Sequence, residues 1–571
     1  MRVPNRSLRW LAALAMLALI AAGCGGGEDP AEGGGEASGG ASEPTSEAGS
    51  EAAEGSGGEF SVYIGEPESL FPQNTNETNG AEVLNALFSG LVDYDVETAQ
   101  PMLADESPRA MAESIESDDQ QTWTITIVDG WTFHDGTPVT AQSYVDAWNF
   151  AAYGPNAQGN SYFFDNIEGS AELKCAENQL DAEGLCKPNA EPAAEEMSGL
   201  EVIDDTTFEV TLTAPFSQFP LTVGYTAFYP LPEVAIEDPD AYNEAPVGNG
   251  PFMMDGEWQH NQQINVVRYP DYAGEPAQAD AVEFRIYAEP DTAYNDLLAG
   301  DLDILEDVPA AQIESARAEF GEAFLEGESS SFTYIGFPLY EDAFEDANLR
   351  RAFSMAIDRE AITRTIRTDA VPADAMVSPV VAGYREGACG EACTFDPEMA
   401  QQLYDEAGGY DGELTLWFNT GGDHEAWMEA VSNQLRENLG IESIRFRSLD
   451  FAEYLGLLDN EEVTGPFRLG WVMDYPSPQN YLEPIHASNG SSNNTGYSNE
   501  EFDELVAEGN AAGSIEEGLD AYARAEDVLI EDLPIIPMFF ARVAGAHSER
   551  VQGVTIDAFT RLNTADVTVT E

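Results

Sequence analysis

One aspartate stands at the end of a segment that could bind or transform a ligand. From position 467 the chain reads FRLGWVMDYP, in which apolar residues alternate with polar or small ones. A period of two predicts a half-buried strand, which Pro476 ends. The carboxylate of Asp474, beside Trp471 and Tyr475, could form a turn, act as a general acid or base, or bind a positively charged group. The remainder of the chain has to discriminate among these roles.

Signatures of nucleophilic, metal-assisted or phosphate chemistry are absent from the sequence. It has no Gly-x-Ser-x-Gly elbow and no His-Glu-x-x-His motif, and neither Lys174 nor Lys187 follows a phosphate-binding glycine loop. Neighbouring acids such as Asp204 and Asp205 could form a glycosidase pair, but a chain with 105 acidic residues contains such pairs by chance. We therefore predict no catalytic residue and no cofactor, with a secreted hydrolase as the less favoured alternative.

The N-terminus has the order of an export signal. Three arginines precede an apolar run at residues 10–20, and small residues lead from there to Cys24. The run is too short to span a membrane as a helix. The small residues before a lone cysteine resemble a bacterial lipobox, in which Cys24 would be lipidated, although leucine is commoner than Ala21 at its position. We predict a lipoprotein signal peptide at residues 1–24, with a signal cleaved without lipid as the alternative.

Residues 25–58 consist almost entirely of Gly, Glu, Ala and Ser. A segment with so little to bury predicts a disordered tether, whose root-mean-square span is about 30 Å. Such a tether would let an anchored domain reorient above a membrane. The following stretch of roughly 510 residues is longer than one hydrophobic core usually serves, so we expect two or three lobes.

The other four cysteines form two close pairs in the sequence, Cys175 with Cys186 and Cys389 with Cys393. An even number of cysteines in an exported chain is typical of disulfides, although the count does not fix which cysteines pair. A zinc site is the alternative, but the five histidines show no metal spacing near these cysteines. We therefore predict local disulfides and no metal site.

The charge of the chain is strongly negative, with 23 basic and 105 acidic side chains and a formal net charge of −82. Such a surface repels nucleic acid and anionic lipid, which excludes nucleic acid as a partner. Adaptation to a saline habitat explains the charge, because salt screens the self-repulsion. Electrostatic capture of cationic ligands is the alternative, and the same salt would weaken it.

Local signals place turns and helices between the candidate strands. Thr140 is a natural N-cap for a helix that runs from Ala141, and Gly248 and Gly250 around Asn249 indicate a tight backbone passage before a strand. Strand and helix signals alternate over the whole length, which favours an α/β architecture.

Seven segments follow one another along the chain: GEPESLFPQNTNETNGAEVLNALFSGLVDYD, FHDGTPVTAQSYVDAWN, PVGNGPF, ANLRRAFSMAIDREAI, GWVMDYPSPQNYLEP, NNTGYSNEEFDEL and EDLPIIPMFF. In this order they resemble the successive blocks of the family 5 extracellular solute-binding proteins, the oligopeptide- and dipeptide-binding receptors of ABC importers. The resemblance covers nearly everything from Phe60 to about Val554.

The resemblance implies a fold of the periplasmic-binding-protein type, a two-lobed class II clamp with an extra domain and mixed sheets flanked by helices. The lobes would close over a ligand and present it to the permease subunits of an importer. By analogy with the larger members, one lobe comprises residues 60–93, 218–331 and 541–571, the additional domain residues 94–217, and the second ligand lobe residues 332–540. The protein is expected to be an extracytoplasmic monomer held at the membrane by its lipid.

The resemblance also assigns a role to Asp474. In peptide-binding relatives the acid of the Gly-Trp-x-x-Asp-Tyr block holds the free α-amino group of the ligand, and Asp474 has that position. A carboxylate partly desolvated against Trp471 and Tyr475 needs a cation, and an ammonium group supplies a charge-assisted bond. This implication reverses the turn-forming role that the local sequence favours.

Further contacts follow from the same block, within a binding strand expected over residues 467–475. Gly470 and Val472 would offer backbone groups to an extended peptide, and Trp471 would line a side-chain pocket. Arg468 matches an arginine that some peptide binders use near the peptide carboxylate. Some relatives carry a cysteine where Val472 stands, so the ligand subsites here can differ from theirs. Other branches of the family bind nickel complexes, haem, glutathione or sugars, and such a non-peptide solute is the alternative ligand.

Overall fold

A computed structural model of the chain describes residues 57–96, 98–181, 185–188, 190–420 and 424–570. The predicted signal peptide, its Cys24 and nearly all of the predicted tether lie outside these residues. Within them, no helix has both the length and the apolar character needed to cross a bilayer. The same part of the chain holds no group of three or more His, Cys, Asp or Glu side chains placed to bind a metal ion.

The strands form one large sheet, a four-stranded sheet and two small hairpins. In chain order they are β1 Glu59–Ile64, β2 Asp93–Tyr94, β3 Pro101–Met102, β4 Ala112–Glu116, β5 Thr122–Ile127, β6 Leu200–Asp204, β7 Thr207–Thr211, β8 Phe252–Met254, β9 Gln263–Arg268, β10 Ala281–Ile286, β11 Ile304–Leu305, β12 Phe324–Gly336, β13 Ala370–Pro372, β14 Leu414–Asn419, β15 Ile444–Leu449, β16 Phe467–Trp471, β17 Ile535–His547, β18 Val551–Gln552 and β19 Thr568–Val569.

The α-helices flank these sheets. They are α1 Thr78–Leu87, α2 Ala141–Ala152, α3 Ser170–Leu173, α4 Phe219–Thr222, α5 Glu233–Glu237, α6 Pro239–Glu244, α7 Pro290–Ala299, α8 Ile313–Phe320, α9 Ala347–Met355, α10 Arg359–Thr365, α11 Pro397–Glu406, α12 His424–Leu439, α13 Phe451–Asp459, α14 Pro478–His486, α15 Glu500–Asn510 and α16 Ile515–Asp532.

Two long strands run through the centre of the large sheet. Its order is β15-β14-β16-β12-β17-β11-β1-β10-β9-β8, with β13 added against β17. The antiparallel pair β12 and β17 changes register midway: Glu328 pairs with Arg542 and Phe332 with Phe540, so three residues of β12 lie opposite one of β17. Beyond this bulge in one direction lie β11 and β1, and in the other direction lies β16. The two strands therefore connect two parts of the sheet through a kinked segment.

A separate sheet, in the order β4-β5-β7-β6, lies between residues 112 and 211 and is covered by α2. Alternate residues of β5 and β7 are buried, as expected for a sheet with one face against a core. Helix α2 begins at Ala141 after the N-cap Thr140, which confirms the predicted start. Disulfides join Cys175 to Cys186 and Cys389 to Cys393. The boundaries of the lobes stay a prediction.

The predicted glycine passage packs against the end of α1. A Cβ atom at Gly248 would lie 2.0 Å from the carbonyl oxygen of Leu87, and one at Gly250 would lie 2.5 Å from the carbonyl carbon of the same residue. Between them, fully buried Asn249 accepts a hydrogen bond from the Ser89 N–H at 3.1 Å and donates one to the Ser89 carbonyl at 3.0 Å. Only glycine lets the backbone approach this closely.

Candidate functional site

Strand β16 carries the predicted site residues and has an open edge. On one side it pairs with β12 along its whole length, from Phe467 opposite Gly336 to Trp471 opposite Phe332. On the other side β14 pairs with it at Phe467 alone. On the β14 side, no strand among the described residues pairs with β16 beyond Phe467. An extended peptide can add to such an edge.

The strand ends at Trp471, earlier than the predicted end at residue 475. The backbone after it is held by side chains instead of a sheet, which explains the difference. The Met473 N–H donates to Ser330 Oγ at 3.4 Å, and the Asp474 N–H donates to Asn480 Oδ1 at 2.9 Å. The chain then turns into α14, whose first turn is capped by Ser477 and begins with Pro478.

Asn480 is the centre of the hydrogen bonds that position Asp474. Its Oδ1 accepts from the Trp471 indole at 2.9 Å as well as from the Asp474 N–H, and its Nδ2 donates to Asp474 Oδ2 at 2.9 Å. The Asn480 side chain is fully buried. Sequence reasoning missed this residue, although an amide in the first turn of a helix, six positions after the acid, was a usable signal.

The Asp474 carboxylate is half-buried and lacks a cationic partner. No ion pair joins it to an arginine, lysine or histidine in the part of the chain that the structure describes. Burial raises its pKa from 3.8 to about 7, and the hydrogen bond from Asn480 offsets part of that rise. The pKa values of Tyr162 and Tyr225 are raised well above 10. Burial is the larger cause for both, and the nearby negative charge of Asp474 is the second. A desolvated anion in such surroundings favours a bound cation.

Asp474 and Tyr475 line a cavity of about 540 Å³. One wall comes from residues between 162 and 228, and the other comes from residues between 474 and 511. Near this cavity, buried Ser477 donates through Oγ to Oε1 of buried Gln218 at 2.8 Å, so the two walls also meet through a direct hydrogen bond. The Tyr475 hydroxyl donates to Gln479 Oε1, so this hydroxyl is already engaged within the protein.

The other predicted contacts lie outside this cavity, along β16. Gly470, Trp471 and Val472 are half-buried and none of them lines it. The Trp471 indole donates to Asn480 Oδ1, the atom that also accepts from the Asp474 N–H. The structure therefore separates the predicted residues into an acidic end at Asp474 and a strand edge that leads to Arg468.

Arg468 is a half-buried cation without a carboxylate partner. Its Nη1 donates to Asn419 Oδ1 at 3.0 Å, and its Nε is buried without a hydrogen-bond partner. No ion pair involves it among the described residues, and burial lowers its pKa to about 10. A Cβ at Gly470 would lie 3.4 Å from Arg468 Nη2 and 3.2 Å from the Phe332 carbonyl, so glycine leaves room for the guanidinium. This end of the strand suits an anionic group.

A second cavity, of about 440 Å³, lies apart from β16 and α14. No residue from 332 to 540 lines it. The cations on its walls are already paired, Arg109 with Asp566 and Arg561 with Asp557. Both arginines are thus already engaged by carboxylates of the protein and are not free to bind an anionic ligand, which makes this cavity the weaker candidate for a ligand site.

The fold and the cleft define a two-lobed ligand-binding protein of mixed α/β architecture. Residues 106–493 match the model of the bacterial extracellular solute-binding proteins, family 5 middle. The chain belongs to this family of solute-binding proteins.

Relatives match it over nearly their whole lengths. The oligopeptide-binding protein OppA of Bacillus subtilis is 24% identical over 508 residues, which cover 86% of this chain and 88% of OppA. The dipeptide-binding protein DppE of the same organism is 26% identical over 518 residues, which cover 87% and 90% of the two chains. The structure of the murein tripeptide binding protein MppA of Escherichia coli superposes with a TM-score of 0.76 at 23% identity and covers 90% of this chain and 99% of its own. The predicted fold class is confirmed.

The raised pKa of Asp474 predicts how stability depends on pH. Between about pH 4 and 7 the folded protein without ligand binds a proton that the unfolded chain has lost, so this residue lowers stability as the pH rises through that window. Asp474→Asn removes the titration and keeps the shape. We expect it to raise the free energy of unfolding by about 1–3 kcal/mol at pH 8 and by nothing at pH 4.

Urea denaturation of ligand-free protein at both pH values measures this difference. The matched control is Asp411→Asn, at an exposed acid, which should change neither value. Equal stabilities of wild type and Asp474→Asn at pH 8 would show that the Asp474 carboxylate is not desolvated.

Proposed function

We propose that this protein is the peptide receptor of an ABC importer, which captures peptides by their free amino terminus and delivers them to the permease. The observation that carries the proposal is the desolvated Asp474 carboxylate, which faces a cavity and forms no ion pair within the described residues. Relatives named for oligopeptide and dipeptide binding support it. An α-ammonium group would supply the missing cation with charge-assisted hydrogen bonds.

The peptide backbone would follow the open edge of β16. Hydrogen bonds to main-chain groups around Gly470 and Val472 are indifferent to peptide sequence, so they suit a receptor for varied peptides. Arg468, six residues before Asp474, would bind the peptide carboxylate. Six residue steps of extended chain span at most about 20 Å, so an extended peptide of roughly six or seven residues would be long enough to reach both side chains.

Closure of the lobes would trap the peptide. We assign residues 60–93, 218–331 and 541–571 to one lobe, residues 94–217 to the additional domain and residues 332–540 to the other lobe. Strands β12 and β17 join the two parts of the large sheet, and their bulge at residues 329–331 is the natural hinge. The receptor would act as a monomer and perform no chemistry on its ligand.

Binding without turnover is the outcome that tests this function. Purified protein is mixed with a peptide pool, half of which is N-acetylated. The protein-bound fraction should contain peptides with free amino termini at more than about ten times the amount of acetylated peptides. Mass spectrometry of ligand released by denaturation should find the peptides intact at all times. Fragments that accumulate would indicate a hydrolase, and equal retention of acetylated peptides would contradict recognition of the amino group.

We also propose that Cys24 carries a lipid that holds the receptor at the outer face of the cell membrane. Its support is the arginine, apolar and small-residue order of residues 1–24. Wild-type cells grown with a labelled fatty acid should incorporate the label into this protein, and Cys24→Ser should abolish the label and release the protein from the membrane fraction. Membrane-bound, unlabelled wild type would contradict the lipid anchor.

A further inference from the structure

Beyond Asp474 the cavity contains a second carboxylate, Glu483. It lies one turn after Asn480 on α14, where residues three apart have Cβ atoms about 5–6 Å from each other. Its Oε2 accepts hydrogen bonds from Gln479 Nε2 and, at 2.8 Å, from Asn510 Nδ2. Asn510 is in turn held by the Tyr522 hydroxyl at 2.8 Å. Two amides thus fix one oxygen of this carboxylate while its Oε1 accepts no hydrogen bond from the described residues.

Glu483 has no cationic partner in the described parts of the chain. The other acid on the cavity lining, Asp165, differs because Lys174 Nζ lies 2.5 Å from its Oδ2, and both of these side chains are about half exposed. Two carboxylates, Asp474 and Glu483, therefore face one cavity without internal compensation. One α-ammonium group neutralises one of them.

The opposite wall of the cavity is aromatic. The rings of Tyr162 and Phe163 are stacked with centroids 4.5 Å apart, and Phe163 lies 5.8 Å from Phe228. Such a surface packs well against the methylene stem of a long side chain, and ring faces also attract an ammonium or guanidinium group. The volume of about 540 Å³ falls within the range of about 300–1,000 Å³ that is typical of ligand pockets.

We propose that this cavity receives the side chain of the first residue of the peptide and that Glu483 selects a long cationic side chain, that of lysine or arginine. The inference rests on the proposed function, because Asp474 must hold the α-ammonium group for the side chain to enter here. The methylenes then lie along the aromatic wall, and the terminal cation reaches Glu483 Oε1. An acidic first residue is repelled by both carboxylates.

Glu483 could instead serve only to brace Gln479 and Asn510, and the experiment separates the two roles. Calorimetry compares Lys-Ala-Ala with norleucine-Ala-Ala, which has the same stem without the charge, and with Glu-Ala-Ala. We expect wild type to bind the lysine peptide at least about tenfold more tightly than the norleucine peptide, and the glutamate peptide most weakly. Glu483→Gln keeps an oxygen for both amides and should reduce the lysine preference to about twofold or less, while affinity for norleucine-Ala-Ala changes by less than about twofold.

The matched control is Glu504→Gln, which removes one negative charge from an exposed position on α15. Because the whole chain carries −82, general attraction of cationic peptides is lowered equally in both variants, so only Glu483→Gln should lose the preference. Thermal unfolding of each variant checks that it folds.

The outcomes distinguish this inference from the function on which it rests. Binding of all three peptides with equal affinity, or a lysine preference that survives in Glu483→Gln, overturns the selection by Glu483 and leaves peptide binding intact. If Glu483→Gln weakens binding of the lysine and norleucine peptides equally, Glu483 only braces its neighbours, and the proposed selection is overturned. Failure of every peptide with a free amino terminus to bind wild type overturns the proposed function and this inference together.

Discussion

The fixed, desolvated carboxylate of Asp474 is the constraint on which the rest of the site depends. The Asn480 amide donates through Nδ2 to Asp474 Oδ2. Its Oδ1 accepts hydrogen bonds from the Asp474 N–H and from the Trp471 indole. An ionised carboxylate in these surroundings destabilises the protein until a cation arrives. A cationic ligand, as proposed, would relieve this penalty and so stabilise the conformation that binds it.

The same loop is tied to the kinked segment between β12 and β17. Fully buried Ser330 lies at the register change, where its Oγ accepts from the Met473 N–H and its carbonyl accepts from the Tyr481 hydroxyl at 2.6 Å. Met473 directly precedes Asp474 in the chain, and Tyr481 directly follows Asn480. Through its chain neighbour Met473, Asp474 is thus linked to Ser330 on β12, and this link would connect a bound ligand to the proposed closure.

Charge in the cleft is arranged differently from charge on the surface. Although the chain has 105 acidic residues, Arg468 lies half-buried without an ion pair among the described residues. Arg468 near the start of β16 and Asp474, three residues beyond its end, carry the opposite charges that the two ends of a zwitterionic peptide would require. The formal net charge of −82 belongs to the whole chain, whereas the unpaired Asp474 and Arg468 are local features of the proposed ligand site.

Local sequence signals predicted the start of α2 after Thr140 and the close glycine passage at Gly248 and Gly250, because capping and steric fit act over a few residues. The fold class was predicted from seven sequence segments that resemble the family's blocks and occur in the same order along the chain. The end of β16 was predicted wrongly, since the alternation of residue types continues past Trp471 while hydrogen bonds from Ser330 and Asn480 replace the sheet. Asn480 and Glu483 were missed because their roles depend on how α14 packs against residues far away in the chain.

A thermodynamic cycle on Asp474 and the amino group of the ligand tests the central claim most directly. Calorimetry measures the binding of a free and an N-acetylated tripeptide to wild type and to Asp474→Ala. If the carboxylate holds the α-ammonium group, each single change should weaken binding by about 2–5 kcal/mol, and the two together should cost little more than either alone. Additive losses would contradict the account, because they would show that the acid and the amino group act independently.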